Sequence, residues 1–172
     1  DLDEQVTVRA PGKVNLALDA LPDFTCLPGP GEHLRGAISI SPSVDYMERA
    51  YDEAKYGRYS RKPYIDMVIP SLTDPSVAPP GKHVMSCFVQ YAPYHLKEEG
   101  GWDAHREAFG DTVINTIAEY APNIKNIIAV ASGKGGVRSP SRYGTKVTPW
   151  LPGSALSASW LSSSSVPPNT SA

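Results

Sequence analysis

One run of the chain carries residue types that could bind phosphate. The run IIAVASGKGGVRS, residues 127–139, begins like a variant phosphate-binding loop, in which an apolar strand leads into a glycine turn and a lysine neutralises the phosphates. The second half departs from that pattern, because Arg138, Ser139 and Pro140 stand where Gly-Lys-Ser or Gly-Lys-Thr would open a helix. The run therefore argues against a P-loop.

Two further runs resemble the start of a nucleotide site. GPGEHL, residues 29–34, imitates a dinucleotide fingerprint, but Leu34 replaces the last glycine and the prolines at 28 and 30 prevent a strand from leading into it. VRAPGKVNLAL, residues 8–18, looks like the first strand of homoserine and mevalonate kinases, yet no glycine- and serine-rich phosphate loop follows. We therefore predict no cofactor-binding residue in this chain.

The ionisable residues show no pattern typical of a metal centre or of an acid and base pair. The histidines, at positions 33, 83, 95 and 105, lack pairwise ligand spacing. His105 falls on the apolar stripe of a predicted helix, where we expect a hydrogen-bonded side chain. Glu98 and Glu99 are expected to be solvated rather than paired for proton transfer. We predict no metal ligand and no catalytic residue.

One predicted strand, residues 83–91, has two different faces. Its alternation places the apolar Met85, Cys87 and Val89 on one side, which is typical of core packing. The other side is mixed in character, as expected for a cavity that binds a small molecule. The predicted cavity-lining residues are Ser86, Phe88 and Gln90.

Other strands are predicted from the same alternation of apolar and polar residues, over residues 6–8, 14–18, 37–40 and 64–69. In the last of these, Ile65, Met67 and Ile69 would share one buried face. The prolines and glycines of residues 21–36 and 71–81 predict loops, since they interrupt regular backbone pairing.

Two main helices are predicted. Ser41 followed by Pro42 favours a helix start, and Gly57 favours its end. The second and clearer helix runs from Trp102 to Tyr120 and ends before Pro122. The predicted core stripe of the first helix consists of Val44, Met47, Tyr51 and Ala54.

These elements predict an α+β fold, a mostly antiparallel sheet of about five short strands with two main helices packed on it. We assign residues 1–130 to this domain. Residues 131–172 are predicted to be a low-complexity tail rich in serine and proline, disordered or out of frame, because all 18 acidic residues lie before Tyr120 and the periodicity fails near Ile128.

Composition excludes several classes of partner. The chain has 172 residues, 41% of them hydrophobic, and a net charge of −2, which gives no reason to expect binding to nucleic acid. No apolar run is long enough for a transmembrane helix, and no signal peptide is evident. Cys26 and Cys87 match no metal or redox spacing, so we expect two buried, reduced thiols. The expected compartment is the bacterial cytoplasm or the mitochondrial matrix.

Three segments of the chain carry a family resemblance. They are GKVNLALDALPDF, the block from Gly36 to Tyr94, and GWDAHREAFGDTVINTIAEYAPNIKNII. Together, over roughly residues 12–128, they resemble the phytoene-desaturase-like FAD-dependent oxidoreductases, in particular the branch called pyridine nucleotide-disulfide oxidoreductase domain-containing protein 2. The resemblance covers substrate-domain scaffold and neither of the glycine-rich FAD contacts of that family.

The resemblance implies that FAD belongs to the complete family protein and is not bound by this chain alone. It implies a small apolar substrate in a cavity, for which the aromatic candidates are Phe88, Tyr91, Tyr94, Trp102 and Phe109. Their alternative role is an ordinary core. The functional alternatives are a non-catalytic interaction module or residual gene fragment and, less favoured, a P-loop or small-molecule kinase fragment of the GHMP type.

Overall fold

The computed structural model of the chain describes residues 12–133 and 136–138. Its strands form one antiparallel sheet in the order β2-β3-β4-β1-β5-β6. The elements in chain order are β1 (Gly12–Leu18), β2 (Ile38–Ile40), α1 (Val44–Lys55), β3 (Tyr64–Val68), β4 (His83–Gln90), α2 (Gly101–Tyr120), α3 (Ile124–Ile127), β5 (Ile128–Gly133) and β6 (Gly136–Arg138). The α+β prediction is confirmed. The strand predicted over residues 6–8 and most of the predicted tail lie outside the described residues.

The hydrophobic core lies on one face of the sheet, beneath α2. Leu16 on β1 pairs with Met85 on β4, and both are about 1% exposed. Phe109, Val113 and Ile117 of α2 belong to the same buried cluster. Burying one such side chain fully stabilises the fold by about 1.5–3 kcal/mol, so the alternation of the strands decides which face receives the helix.

The predictions for β3, β4 and α2 are confirmed. On β3, Ile65 and Met67 are fully buried, as is Ile69 just after its end. α2 ends at Tyr120, where the sequence predicted it. The glycine at 57, with a φ of 83°, follows α1 as expected for a helix end.

The prediction for α1 is wrong in two respects. The helix is capped by Ser43, whose hydroxyl accepts a hydrogen bond from the backbone N–H of Tyr46 at 3.1 Å, rather than by Ser41. Its buried residues are Ala50 and Ala54, whereas Val44 is 78% exposed. Of the predicted stripe, Ala54 is buried and Met47 is half-buried, whereas Val44 and Tyr51 are exposed.

The run that begins like a phosphate-binding loop contains two paired strands. β5 and β6 are antiparallel, with Gly133 opposite Gly136. A phosphate-binding loop needs a helix N-terminus at this point, because the helix supplies free backbone N–H donors. A strand occupies residues 136–138 instead, which argues against the P-loop alternative.

The two thiols differ in exposure. Cys87 is fully buried on β4, and burial raises its pKa to about 12. Cys26 is exposed, so the expectation that both thiols are buried is wrong for this residue. Among the described residues no helix is long and apolar enough to cross a membrane.

Candidate functional site

The three predicted cavity residues lie on the sheet face opposite the core, which we call the open face. Strand register brings other side chains to the same face, since residues directly opposite in antiparallel strands project to the same side. Phe88 lies opposite Lys13 on β1 and Asp66 on β3. The open face comprises Lys13, Asn15, Ala17, Ser39, Tyr64, Asp66, Val68, Val84, Ser86, Phe88 and Gln90.

Phe88 is the most exposed of the predicted cavity residues. The residue is 41% exposed, although it lies in the middle of three paired strands. The ammonium nitrogen of Lys13 lies 5.6 Å from the centre of the Phe88 ring, a distance at which a cation is attracted to the aromatic face. Phe88 therefore offers an accessible apolar surface with a positive charge on one side.

Ser86 and Gln90 differ in how far they can reach a ligand. Ser86 is only 6% exposed, and its hydroxyl donates to Oδ1 of Asn15 at 2.8 Å. Ser86 therefore holds the Asn15 side chain in position, and its own hydroxyl is little exposed to a ligand. Gln90 is half-buried and lies opposite Tyr64 of the neighbouring strand β3. The cavity-lining assignment of these residues stays a prediction.

Asp66 is the centre of a hydrogen-bond group that the sequence did not predict. Its carboxylate accepts one hydrogen bond from the Ser39 hydroxyl and another from the Tyr64 hydroxyl, one on each oxygen. The bond to Asp66 is the main reason that the pKa of Tyr64 is raised, because it favours the protonated phenol. The group holds a carboxylate in a fixed orientation beside Phe88.

The alternation of β3 contained the signal for Tyr64 and Asp66. Residues two apart on a strand share a face, so a strand over residues 64–69 places both opposite Ile65 and Met67. What the sequence could not provide was the register with β2 and β4, which brings Ser39 and Phe88 beside them.

The five aromatic candidates do not form one cavity. Trp102 and Phe109 pack against Tyr59 on the core side, with ring centres 5.9 and 5.3 Å from that of Tyr59. Phe109 is 4% exposed, so the ordinary-core alternative holds for it. Tyr91 instead meets Tyr51 edge to face at 5.4 Å, beyond the end of β4.

No metal-ligand cluster occurs among residues 12–133 and 136–138. His105 is a hydrogen-bonded residue of the helix face, as predicted. One ring nitrogen lies 3.0 Å from the Glu99 carbonyl oxygen, and the other lies 3.0 Å from a carboxylate oxygen of Glu98. These contacts tie α2 to the loop before it.

The glycine turn of residues 29–34 does not fit the pyrophosphate of a flavin. Residues 29–34 contain a short 3-10 turn, Glu32–Leu34, with no strand leading into it. Leu34 is the only buried residue of this run. A pyrophosphate site needs a strand, a glycine turn and a helix N-terminus in succession. Residues 29–34 provide no such succession.

The curated relatives of the chain include two proteins of one name. The chain is 37% identical over 123 residues to pyridine nucleotide-disulfide oxidoreductase domain-containing protein 2 of Mus musculus, and 36% identical over 123 residues to the Rattus norvegicus protein of that name. Each match covers 67% of this chain and 21% of the relative, so the chain spans about a fifth of their length. No protein-family model and no solved structure matches. Over two thirds of its length, the chain is thus similar to the branch that the sequence resemblance predicted.

Proposed function

We propose that the chain is a substrate-domain segment of a FAD-dependent, phytoene-dehydrogenase-like oxidoreductase. In this proposal the open face lines a cavity for an apolar substrate, and other parts of a complete protein hold the flavin. The observation that carries it is the exposed Phe88 on a sheet face that lies opposite the packed helix α2. The similarity to relatives named as oxidoreductase-domain proteins supports the enzyme class.

The residues of the open face would act by binding. Phe88 would contact the apolar body of the substrate, since an aromatic ring contributes a large contact area at low entropic cost. Gln90 would lie at the end of this contact, and Ser86 would act through the Asn15 side chain that it hydrogen-bonds. The flavin would supply hydride acceptance or return, and no catalytic role is assigned to a residue of this chain.

The cavity can be tested on the purified chain with diphenylhexatriene, an uncharged polyene that fluoresces in apolar surroundings. We expect saturable binding and a roughly two- to tenfold loss of affinity in Phe88→Ala, as for the removal of one aromatic contact. Tyr56→Ala is the matched control, because Tyr56 is also an exposed aromatic residue, 58% exposed, at the end of α1. No saturable binding, or equal losses in the two variants, would overturn the proposed cavity.

A flavin titration tests the location of the cofactor. We expect no stoichiometric change in flavin absorbance or fluorescence when FAD is added to the chain. Stoichiometric binding of FAD by the chain alone would contradict the assignment of the flavin site to other parts of the protein. Binding of neither FAD nor the polyene would favour the alternative, a non-catalytic interaction module.

A further inference from the structure

The open face carries opposite charges on the two sides of Phe88. Asp66, Phe88 and Lys13 occupy one row across β3, β4 and β1, and we call these three residues the charged row. Adjacent strands lie about 5 Å apart, so the backbones that carry the two charges are about 10 Å from each other, with the aromatic ring between them. An apolar ligand on Phe88 would meet an anion at one side and a cation at the other.

The carboxylate of Asp66 is built to accept further hydrogen bonds. An ionised carboxylate has about four acceptor positions, and the hydroxyls of Ser39 and Tyr64 use one on each oxygen. These two contacts orient the group without supplying a compensating positive charge. Asp66 is half-buried rather than enclosed, so a donor on a ligand can reach it from the open face.

Lys13 would determine the orientation in which a charged ligand binds to the open face. Its ammonium lies over one side of Phe88 and would repel a second cation there, while the carboxylate on the opposite side would attract it. A ligand with an apolar body and a cationic end would therefore place that end on Asp66. A ligand with an anionic end would be drawn to Lys13 and would lose the oriented carboxylate as a partner.

We propose that the charged row, with Ser39 and Tyr64, is a head-group site for an amphipathic molecule that carries a protonated amine. This inference rests on the proposed function, since it assumes that the apolar body of the ligand lies on Phe88. It assigns Asp66 as the contact for the amine and Lys13 as the residue that discriminates against the reverse orientation. It also names a ligand class, an apolar chain or ring system with one ammonium group.

The test is competition against bound diphenylhexatriene by three ten-carbon probes, namely decylammonium, decanol and decanoate. In the wild-type chain we expect decylammonium to compete about tenfold better than decanoate, the size of effect expected for a charge-assisted hydrogen bond. Asp66→Asn should lower the affinity for decylammonium about tenfold and leave that for decanol nearly unchanged. Asp52→Asn, at an exposed position of α1, controls for the change in net charge.

A second variant keeps the test decisive if Asp66→Asn folds poorly. Lys13 is exposed, and Lys13→Met should raise the affinity for decylammonium and lower that for decanoate. Equal affinities of the three probes, or equal losses in Asp66→Asn and Asp52→Asn, would overturn the head-group site and leave the cavity standing. Failure of diphenylhexatriene to bind the wild-type chain would overturn both the cavity and the head-group site.

Discussion

Phe88 and Phe109 lie on opposite faces of the same sheet, and this difference predicts unequal costs of truncation to alanine. Phe109 is 4% exposed and packs edge to face against Trp102, with ring centres 5.1 Å apart. Its ring also lies close to Gly12, where an added Cβ would come within 3.0 Å of it. Phe109→Ala would leave an enclosed cavity, and such changes cost about 3–5 kcal/mol.

Phe88 has a smaller expected cost because its ring is open to solvent on one side. Complete burial of a phenylalanine stabilises a protein by about 1.5–3 kcal/mol. Because Phe88 is 41% exposed, about three fifths of that value applies, so Phe88→Ala should cost roughly 1–2 kcal/mol. No enclosed cavity is created, so no further penalty is added.

Urea unfolding of the wild-type chain and both variants, followed by circular dichroism, measures the two costs. We expect the midpoint of Phe109→Ala to shift at least twice as far as that of Phe88→Ala. Similar shifts would refute the reasoning, because they would show that Phe88 is buried in solution by something that the described residues do not include. The open face would then be an internal surface of the chain and could not bind a ligand.

Three further predictions concern capping, backbone conformation and thiol reactivity. Ser43→Ala should lower the free energy of unfolding by about 1 kcal/mol because it removes the helix cap, whereas Ser41→Ala should leave it unchanged; the reverse order would restore the start predicted from the sequence. Gly57→Ala should cost about 1–3 kcal/mol in the same assay, since its φ is 83° and an added Cβ would lie 2.6 Å from the Lys97 side chain; Gly36→Ala, where nothing lies within 4 Å, is the control. Ellman's reagent at pH 8 should modify Cys26 rapidly and Cys87 only after unfolding, because burial raises the pKa of Cys87 to about 12; equal rates in the folded chain would contradict this.

The α1 helix shows why the spacing of apolar residues alone does not predict which face of a helix is buried. Val44, Met47, Tyr51 and Ala54 have helical spacing and would form an apolar stripe in isolation. The buried residues of the helix are Ala50 and Ala54, so Ala54 is the buried member of this stripe. The Tyr46 hydroxyl also fixes the helix, since it donates to the Pro63 carbonyl at 2.8 Å. Periodicity identifies an apolar side, but the fit against neighbouring elements decides which side is buried.

β5 and β6 were not predicted because their residues lack a clear period. Ile128 and Ala129 are apolar neighbours, and the glycines that follow give no alternation. Pairing with β1 nevertheless extends the sheet, with Leu16 opposite Ala131. Backbone hydrogen bonds to an existing strand can stabilise a sequence that has weak strand preference of its own.

The sequence by itself determined the α+β class, the faces of β3 and β4, the span of α2 and the resemblance to an oxidoreductase branch. Each of these depends on periodicity or on runs of residues close together in the chain. Only the tertiary structure decided that Asp66 and Lys13 lie on either side of Phe88, and that Ser86 hydrogen-bonds Asn15, 71 residues away. Strand register joins distant segments, and it is selected by the packing of the whole core rather than by any one strand.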